Sequence, residues 1–268
     1  MLTFSRWLQS FRIWFGLCVC AIFALIAAVP EFYALCTHSR LRGAQPGMRR
    51  TRTGRWFNRW TRRFLHLCGS IGGLRWRVAA ARTLTEAEKH GGCIVVANHH
   101  GGFDALLVSE LLHRMGIDDY RVVAMHEVNW IPLINHVFRE AGCAFVKRKG
   151  DPGDVERIRK FAEACREDGA AALIFPEGHI SESGELLPPR PNGLRKMLAA
   201  MPGKPVISMT IRWHDHCMPP ISLLGMIPPG TRVTVTARVV YGVTPENADE
   251  WLKNEWLRKE AILSAPAA

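Results

Sequence analysis

The sequence predicts an α/β fold: a mixed sheet flanked by helices, preceded by an N-terminal membrane-anchoring helical segment. Three observations carry this. From residue 93 onward, short buried-type apolar runs alternate with stretches of helical periodicity. Near the N-terminus, Ile13 to Val29 is a run of seventeen uncharged, mostly apolar residues. Between them, twelve arginines stand from Arg40 to Arg82 with no acidic residue. The boundaries that follow are a membrane anchor over 1–36, a basic amphipathic membrane-interface segment over 37–82 and a globular domain over 83–268.

The apolar run is flanked by Arg12 and Arg40 and closed by Pro30-Glu31. It is near the short limit of the ~20 residues that cross a bilayer. It is also longer than most signal-peptide cores, and Ala27-Ala28-Val29-Pro30 is a poor cleavage site. It reads as a retained anchor, spanning or re-entrant, against the alternative of a buried core helix. If it spans, the arginines after it put the domain in the cytoplasm, at the inner membrane if the source is bacterial.

In the segment 55–68, Trp56, Phe57, Trp60, Phe64 and Leu67 share one helical sector, and Arg55, Arg59, Arg62, Arg63 and His66 fill the opposite one. This describes a helix lying in a membrane interface and drawn to anionic lipid. Arginines among aromatics can also track a phosphate backbone, but the neighbouring apolar run favours a membrane over nucleic acid. The chain's net charge is +11, and this segment holds it. With twelve here and +1 before Arg40, the remainder sums to −2, since 11 − 12 − 1 = −2. The eight cysteines include no C-x-x-C pair, which points to buried thiols in a reducing compartment rather than disulfides or zinc.

The alternation then runs in order. Strands are expected at 93–97, 121–125, 144–147, 171–175, 206–211 and 232–240. Helices are expected at 103–115, 130–140, 154–168, near 193–200 and at 245–261, followed by a poorly structured tail. The first of these strands delivers Asn98-His99-His100-Gly101-Gly102-Phe103-Asp104 to its C-terminal end, where open α/β sheets place ligands. Asp104 falls in the first turn of the next helix, whose positive dipole end suits a carboxylate. Five positions after His99 and across a glycine turn, it can accept the imidazole Nδ1–H and leave Nε2 as a general base. A buried histidine with a capping aspartate is the plainer reading of those residues alone.

Three further blocks follow. Gly142-Cys143-Ala144-Phe145-Val146-Lys147-Arg148 ends a strand in cations. Phe175-Pro176-Glu177-Gly178-His179-Ile180-Ser181 leaves a buried strand abruptly at its proline, with a carboxylate at the same sheet edge as His99. Lys204-Pro205 turns into the buried strand Val206 to Ile211.

In this order and at these separations, the four blocks resemble the PlsC-type glycerolipid acyltransferases, the family of 1-acylglycerol-3-phosphate O-acyltransferases. Asn98, His99 and Asp104 match N-H-x-x-x-x-D; Gly142, Phe145 and Arg148 match G-x-x-F-x-x-R. Phe175, Pro176, Glu177, Gly178 and Ser181 match the third block and Pro205 the fourth. The resemblance spans roughly residues 90–215, and makes 83–268 the acyltransferase catalytic domain. It implies transfer of a fatty acyl group from acyl-CoA or acyl carrier protein to the free hydroxyl of a lysolipid, with no metal and no cofactor. His99 would be the base and Asp104 its orienter. Arg148 would lie near the acceptor's phosphate, with Asn98, Glu177, Gly178 and Arg190 in the acceptor site. Gly178 would be suited to present its N–H to an oxyanion.

The third block departs from the family. Its usual Thr-Arg is His179-Ile180 here, and isoleucine cannot replace a phosphate-gripping guanidinium. Arg190, Arg195 or His179 are the candidates to compensate. Gly101 stands where a serine is common. A lyso-ornithine lipid acceptor, or a non-catalytic lipid-binding protein of the same fold, are the alternatives in lipid chemistry. His214-Asp215-His216-Cys217 raises a metal-dependent hydrolase as a third.

Overall fold

In a computed structural model, the described residues are 22, 26–72, 74–80, 85, 92–101, 103–147, 151–181, 185–214 and 231–265. The strands among them are β1 (Arg75–Ala80), β2 (Cys93–Ala97), β3 (Tyr120–Met125), β4 (Ala144–Val146), β5 (Ala171–Ile174), β6 (Val206–Trp213) and β7 (Arg232–Val240). They form one sheet in the order β1-β7-β6-β2-β5-β3-β4. Only β6 and β7 pair antiparallel, so the sheet is mixed, as expected. β2 lies between β5 and β6, so the chain moves out to one side of β2 and then crosses to the other. The C-terminal end of β2 is thus a topological switch point, the place where such sheets open a crevice.

The helices are α1 (26–41), α2 (Pro46–Gly72), α3 (Asp104–Arg114), α4 (Pro132–Ala141), α5 (Pro152–Asp168), α6 (Pro191–Ala200) and α7 (Ala248–Ser264). A 3₁₀ turn over His126–Trp130 precedes α4. β2 is buried on both faces because alternate residues feed two cores. Val95 and Ala97 join Leu107, Leu111 and Leu65 on the face of α2 and α3. Ile94 and Val96 join Phe161, Leu194 and Trp256 on the face of α5, α6 and α7. Local chemistry fixes the ends: Asp151 caps α5 by accepting the Gly153 N–H at 2.8 Å, and Gly169 ends it at φ 72°.

Two features differ from the sequence-based expectation. The segment 75–80 is a strand: β1 pairs in parallel with β7 and extends the sheet into the basic stretch. The apolar sector of α2 is also not laid bare for a membrane. Trp56 packs with Phe32 of α1 and Val137 of α4, Phe57 meets Phe138, and Leu65 and Cys68 enter the main core. A helical wheel marks which sector is apolar but not what covers it; here α1, α3 and α4 do.

What seats α2 is small and polar. Gly54, Asn58 and Thr61 are buried on the side of α2 that carries Leu65, and a Cβ on Gly54 would strike Oδ1 of Asp119. Arg121, fully buried, bonds Asp119 at 3.0 Å and Asp168 at 2.7 Å. Arg50 of α2 grips Asp168 with two bonds of 2.6 and 3.0 Å. Arg52, Arg55, Arg59 and Arg63 remain as an exposed stripe on the far side.

Most of Ile13 to Val29 lies outside the described residues; its end, 26–29, is helical. Among the described residues, no helix is long and apolar enough to cross a membrane.

Candidate active site

β2 ends at Ala97, and the chain turns through 98–103 into α3. Asp104 is fully buried at the start of α3, and its side chain organises the turn. Oδ2 lies 3.0 Å from Nδ1 of His99 and accepts the N–H groups of His100 at 2.6 Å and Gly101 at 2.7 Å. Oδ1 accepts the indole N–H of Trp213, from the end of β6, at 3.1 Å. With donors on both oxygens, the carboxylate is an acceptor throughout, so Nδ1 of His99 carries the hydrogen. In the neutral ring, Nε2 is then the nitrogen with the lone pair.

The imidazole is held from two more sides. It stacks on Phe175, with centroids 4.2 Å apart and planes at 22°. Its backbone N–H donates to Oε1 of Glu177 at 2.8 Å, while Oε2 accepts the N–H of Leu187 at 3.0 Å. Glu177 therefore ties the end of β2 to both limbs of the loop after β5. Burial pushes its carboxyl up to about 7, against the opposing pull of those two N–H groups.

His99 opens onto a cleft of about 480 Å³ running under β3 and α4 towards α5 and α6. Its walls are largely apolar, including Val122, Ile134, Phe138, Ile158 and Ile174. Gly178, Ile180, Arg190 and Lys196 line it too, and Arg190 and Lys196 are exposed. A base at the end of an apolar channel with cations at its rim can take a proton from an amphiphile whose tail is buried there.

The residues expected in the site divide. His99, Asp104, Glu177, Gly178 and Arg190 come together. Asn98 does not face the cleft: it is fully buried, donates to the Ile211 carbonyl at 2.9 Å and accepts the Ile211 N–H at 2.8 Å. A side chain next to His99 in sequence points to the opposite side of an extended chain. Gly178 does not present its N–H to an oxyanion, because that N–H donates to the Phe175 carbonyl at 3.0 Å. Its φ of 73° explains the glycine, and Arg190 lies about 3.7 Å from where a Cβ would be. Arg195 is engaged elsewhere, with Asp249. Arg148 lies outside the described residues, as do 215–217. His214 meets Thr234 Oγ1 at 2.6 Å.

Sequence reasoning missed Trp213, which reaches Asp104 across 109 positions and carries no local signal. It also left His100 without a role. That ring is buried, its Nδ1 is 3.0 Å from Nδ2 of Asn98, and burial lowers its basicity.

A family model described as Acyltransferase matches residues 79–212. The 1-acyl-sn-glycerol-3-phosphate acyltransferase of Escherichia coli K12 is 24% identical over 148 residues, 55% of this chain and 58% of that protein. The protein of that name from Cocos nucifera is 27% identical over 126 residues, 46% of this chain and 40% of its own length. The matches thus span about half the length of these curated relatives. The solved structure of the 1-acyl-sn-glycerophosphate (LPA) acyltransferase PlsC from Thermotoga maritima superposes with a TM-score of 0.69 at 17% identity, covering 100% of both chains. At that identity the likeness is one of fold.

Proposed function

The chain belongs to the PlsC-type acyltransferase family, and on that premise we propose that it moves a fatty acyl group from a thioester to the free hydroxyl of a lysolipid. The observation that carries this is His99, oriented by Asp104 at 3.0 Å, at the end of a 480 Å³ apolar cleft with Arg190 and Lys196 at its rim. The donor is acyl-CoA or acyl carrier protein. The acceptor is 1-acylglycerol-3-phosphate or a related lysophospholipid, with lyso-ornithine lipid as the alternative.

In this mechanism Nε2 of His99 takes the hydroxyl proton as the oxygen attacks the thioester carbonyl. The tetrahedral intermediate collapses with cleavage of the C–S bond. The leaving thiolate recovers the proton from the imidazolium, which Asp104 stabilises. Fixed donors hold Asp104 still, and Phe175 and Glu177 hold the ring and backbone of His99, so little reorganisation accompanies the step.

Arg190 supports an anionic or zwitterionic headgroup. Among the described residues its guanidinium has no side-chain partner, whereas Arg195 is paired with Asp249. Ile180 on the same wall supports an acceptor that does not demand a second guanidinium. Membrane association is supported by the apolar run Ile13 to Val29 and by the exposed arginines of α2, which suit an anionic lipid surface.

The test is thiol release from acyl-CoA, and from acyl carrier protein, by membranes carrying the protein with a panel of lysolipids, with each product identified. Release that depends on a lysolipid is the expected result. Tight lysolipid binding with no release at all would favour a lipid-binding protein of the same fold.

A further inference from the structure

The strand beside the turn that carries His99 is longer than the strand that leads into it. β2 stops at Ala97, opposite Met209, but β6 runs on through Thr210, Ile211 and Arg212 to Trp213. Along this overhang its sheet partner is β7 alone, antiparallel, with Ile211 opposite Val235 and Trp213 opposite Val233. Val233 and Val235 are buried in the main core, so the overhang is anchored although β2 has ended.

Strand alternation decides what the overhang presents. Met209, Ile211 and Trp213 face the core that α3 covers, whereas Arg212 turns the other way and donates to the Ala265 carbonyl just after α7. Asp104 opens α3, and position 213 is where a side chain of β6 meets it. Ile211 holds Asn98 through its peptide unit, and two positions on, Trp213 holds Asp104 through its indole N–H at 3.1 Å.

The two oxygens of Asp104 are not equally served. Oδ2 meets three nitrogens, Nδ1 of His99 at 3.0 Å and the N–H groups of His100 at 2.6 Å and Gly101 at 2.7 Å. Among the described residues, Oδ1 is bonded by the indole alone. The torsion that sets the plane of an aspartate carboxylate has broad minima. Donors gathered on one oxygen leave the other free to swing, and the swing tilts the lone pair that meets Nδ1–H. A donor on the second oxygen fixes the plane. It also satisfies an acceptor that is fully buried and expensive to leave bare.

We infer that Trp213 is a positioning residue for the reaction proposed above: its indole N–H, carried on the overhang of β6, fixes the carboxylate plane of Asp104 and through it the orientation of His99. It acts at one remove, since Trp213 does not line the cleft. Small misplacements of a base cost large factors in rate, so the effect belongs to turnover more than to binding.

The inference rests on the acyltransferase reading, and its test has one readout that does not need turnover. Trp213→Phe keeps an aromatic ring against the core and removes the N–H. In lysolipid-dependent thiol release, kcat is expected to fall about ten- to a hundredfold, the effect of one hydrogen bond to a charged group. KM should change by less than about twofold, because no contact with bound lipid is lost. In an Asp104→Ala background the same substitution should lower kcat no further. A tryptophan that served packing only would cost the same factor in both backgrounds.

Independently of turnover, isotope labelling of the indole nitrogens should give one N–H resonance that is missing from Trp213→Phe and moves upfield in Asp104→Asn, where the acceptor's charge is gone. If Trp213→Phe does not fold, the natural protein and Asp104→Asn still decide, since one indole resonance must move between them. Equal losses in both backgrounds, or indole resonances that ignore Asp104, overturn the inference and leave Trp213 to the core. A natural protein without lysolipid-dependent thiol release sinks the reaction instead, and the indole resonance then decides whether Trp213 holds Asp104.

Discussion

Asn98 and Ile211, 113 positions apart, are joined by two hydrogen bonds of 2.9 and 2.8 Å between one side-chain amide and one peptide unit. The pair locks the end of β2, where His99 begins, to the part of β6 that delivers Trp213. Asn98 therefore fixes two strand ends and is buried away from the cleft.

Asn98→Ala is expected to lower the free energy of unfolding by about 2–4 kcal/mol, since it orphans two buried backbone groups. A urea titration measures this. Unchanged stability with lost turnover would return Asn98 to the substrate.

Glu177 makes stability depend on pH. Its carboxyl is raised from an ordinary 4.5 to about 7 by burial. Between those values the folded chain holds a proton that the unfolded chain has released, so stability is fully present below about 4.5 and falls as pH rises towards 7. The effect is about 3 kcal/mol at most. Glu177→Gln should flatten that part of the melting-temperature profile. Equal slopes for both proteins would show that the carboxyl is not buried as described.

Gly54 sets how closely α2 approaches the sheet. Ala is the better helix former by about 1 kcal/mol, yet its methyl would strike Asp119, which Arg121 holds in place. Overpacking at such a contact costs about 1–3 kcal/mol, so Gly54→Ala is expected to destabilise despite its propensity. A gain in the urea midpoint would mean that Asp119 yields.

In the proposed reaction, the acceptor preference is expected to turn on Ile180. Replacing one charged hydrogen bond changes specificity by about ten- to a hundredfold. The double substitution His179→Thr with Ile180→Arg is therefore expected to raise the preference for lysophosphatidic acid over lysophospholipids with larger headgroups and lyso-ornithine lipid. The readout is kcat/KM on matched lysolipids. A natural protein that already prefers lysophosphatidic acid a hundredfold would assign the grip to Arg190 or Arg148.

Much of this was legible in the sequence where local pattern and tertiary role coincide. β2, β5 and β7 are marked by unbroken or alternating apolar runs, and His99 and Asp104 by a fixed spacing across a glycine turn. β1 was not legible because Arg75 and Arg77 face solvent on a strand with a single neighbour, inside a stretch whose charge dominates its pattern. Trp213 reaches the site through sheet order, which no window of sequence contains. The aromatic sector of α2 was legible as apolar, but its cover, Phe32 and Phe138, comes from other helices.

The most direct test of the catalytic assignment is lysolipid-dependent thiol release by the natural protein, His99→Ala, Asp104→Asn and the double variant, each checked for folding by urea titration. Because Asp104 acts through His99, Asp104→Asn should lower kcat by about 10⁴-fold, and the double variant should lose little beyond the worse single one. Folded single variants that turn over at near-natural rates would contradict the account.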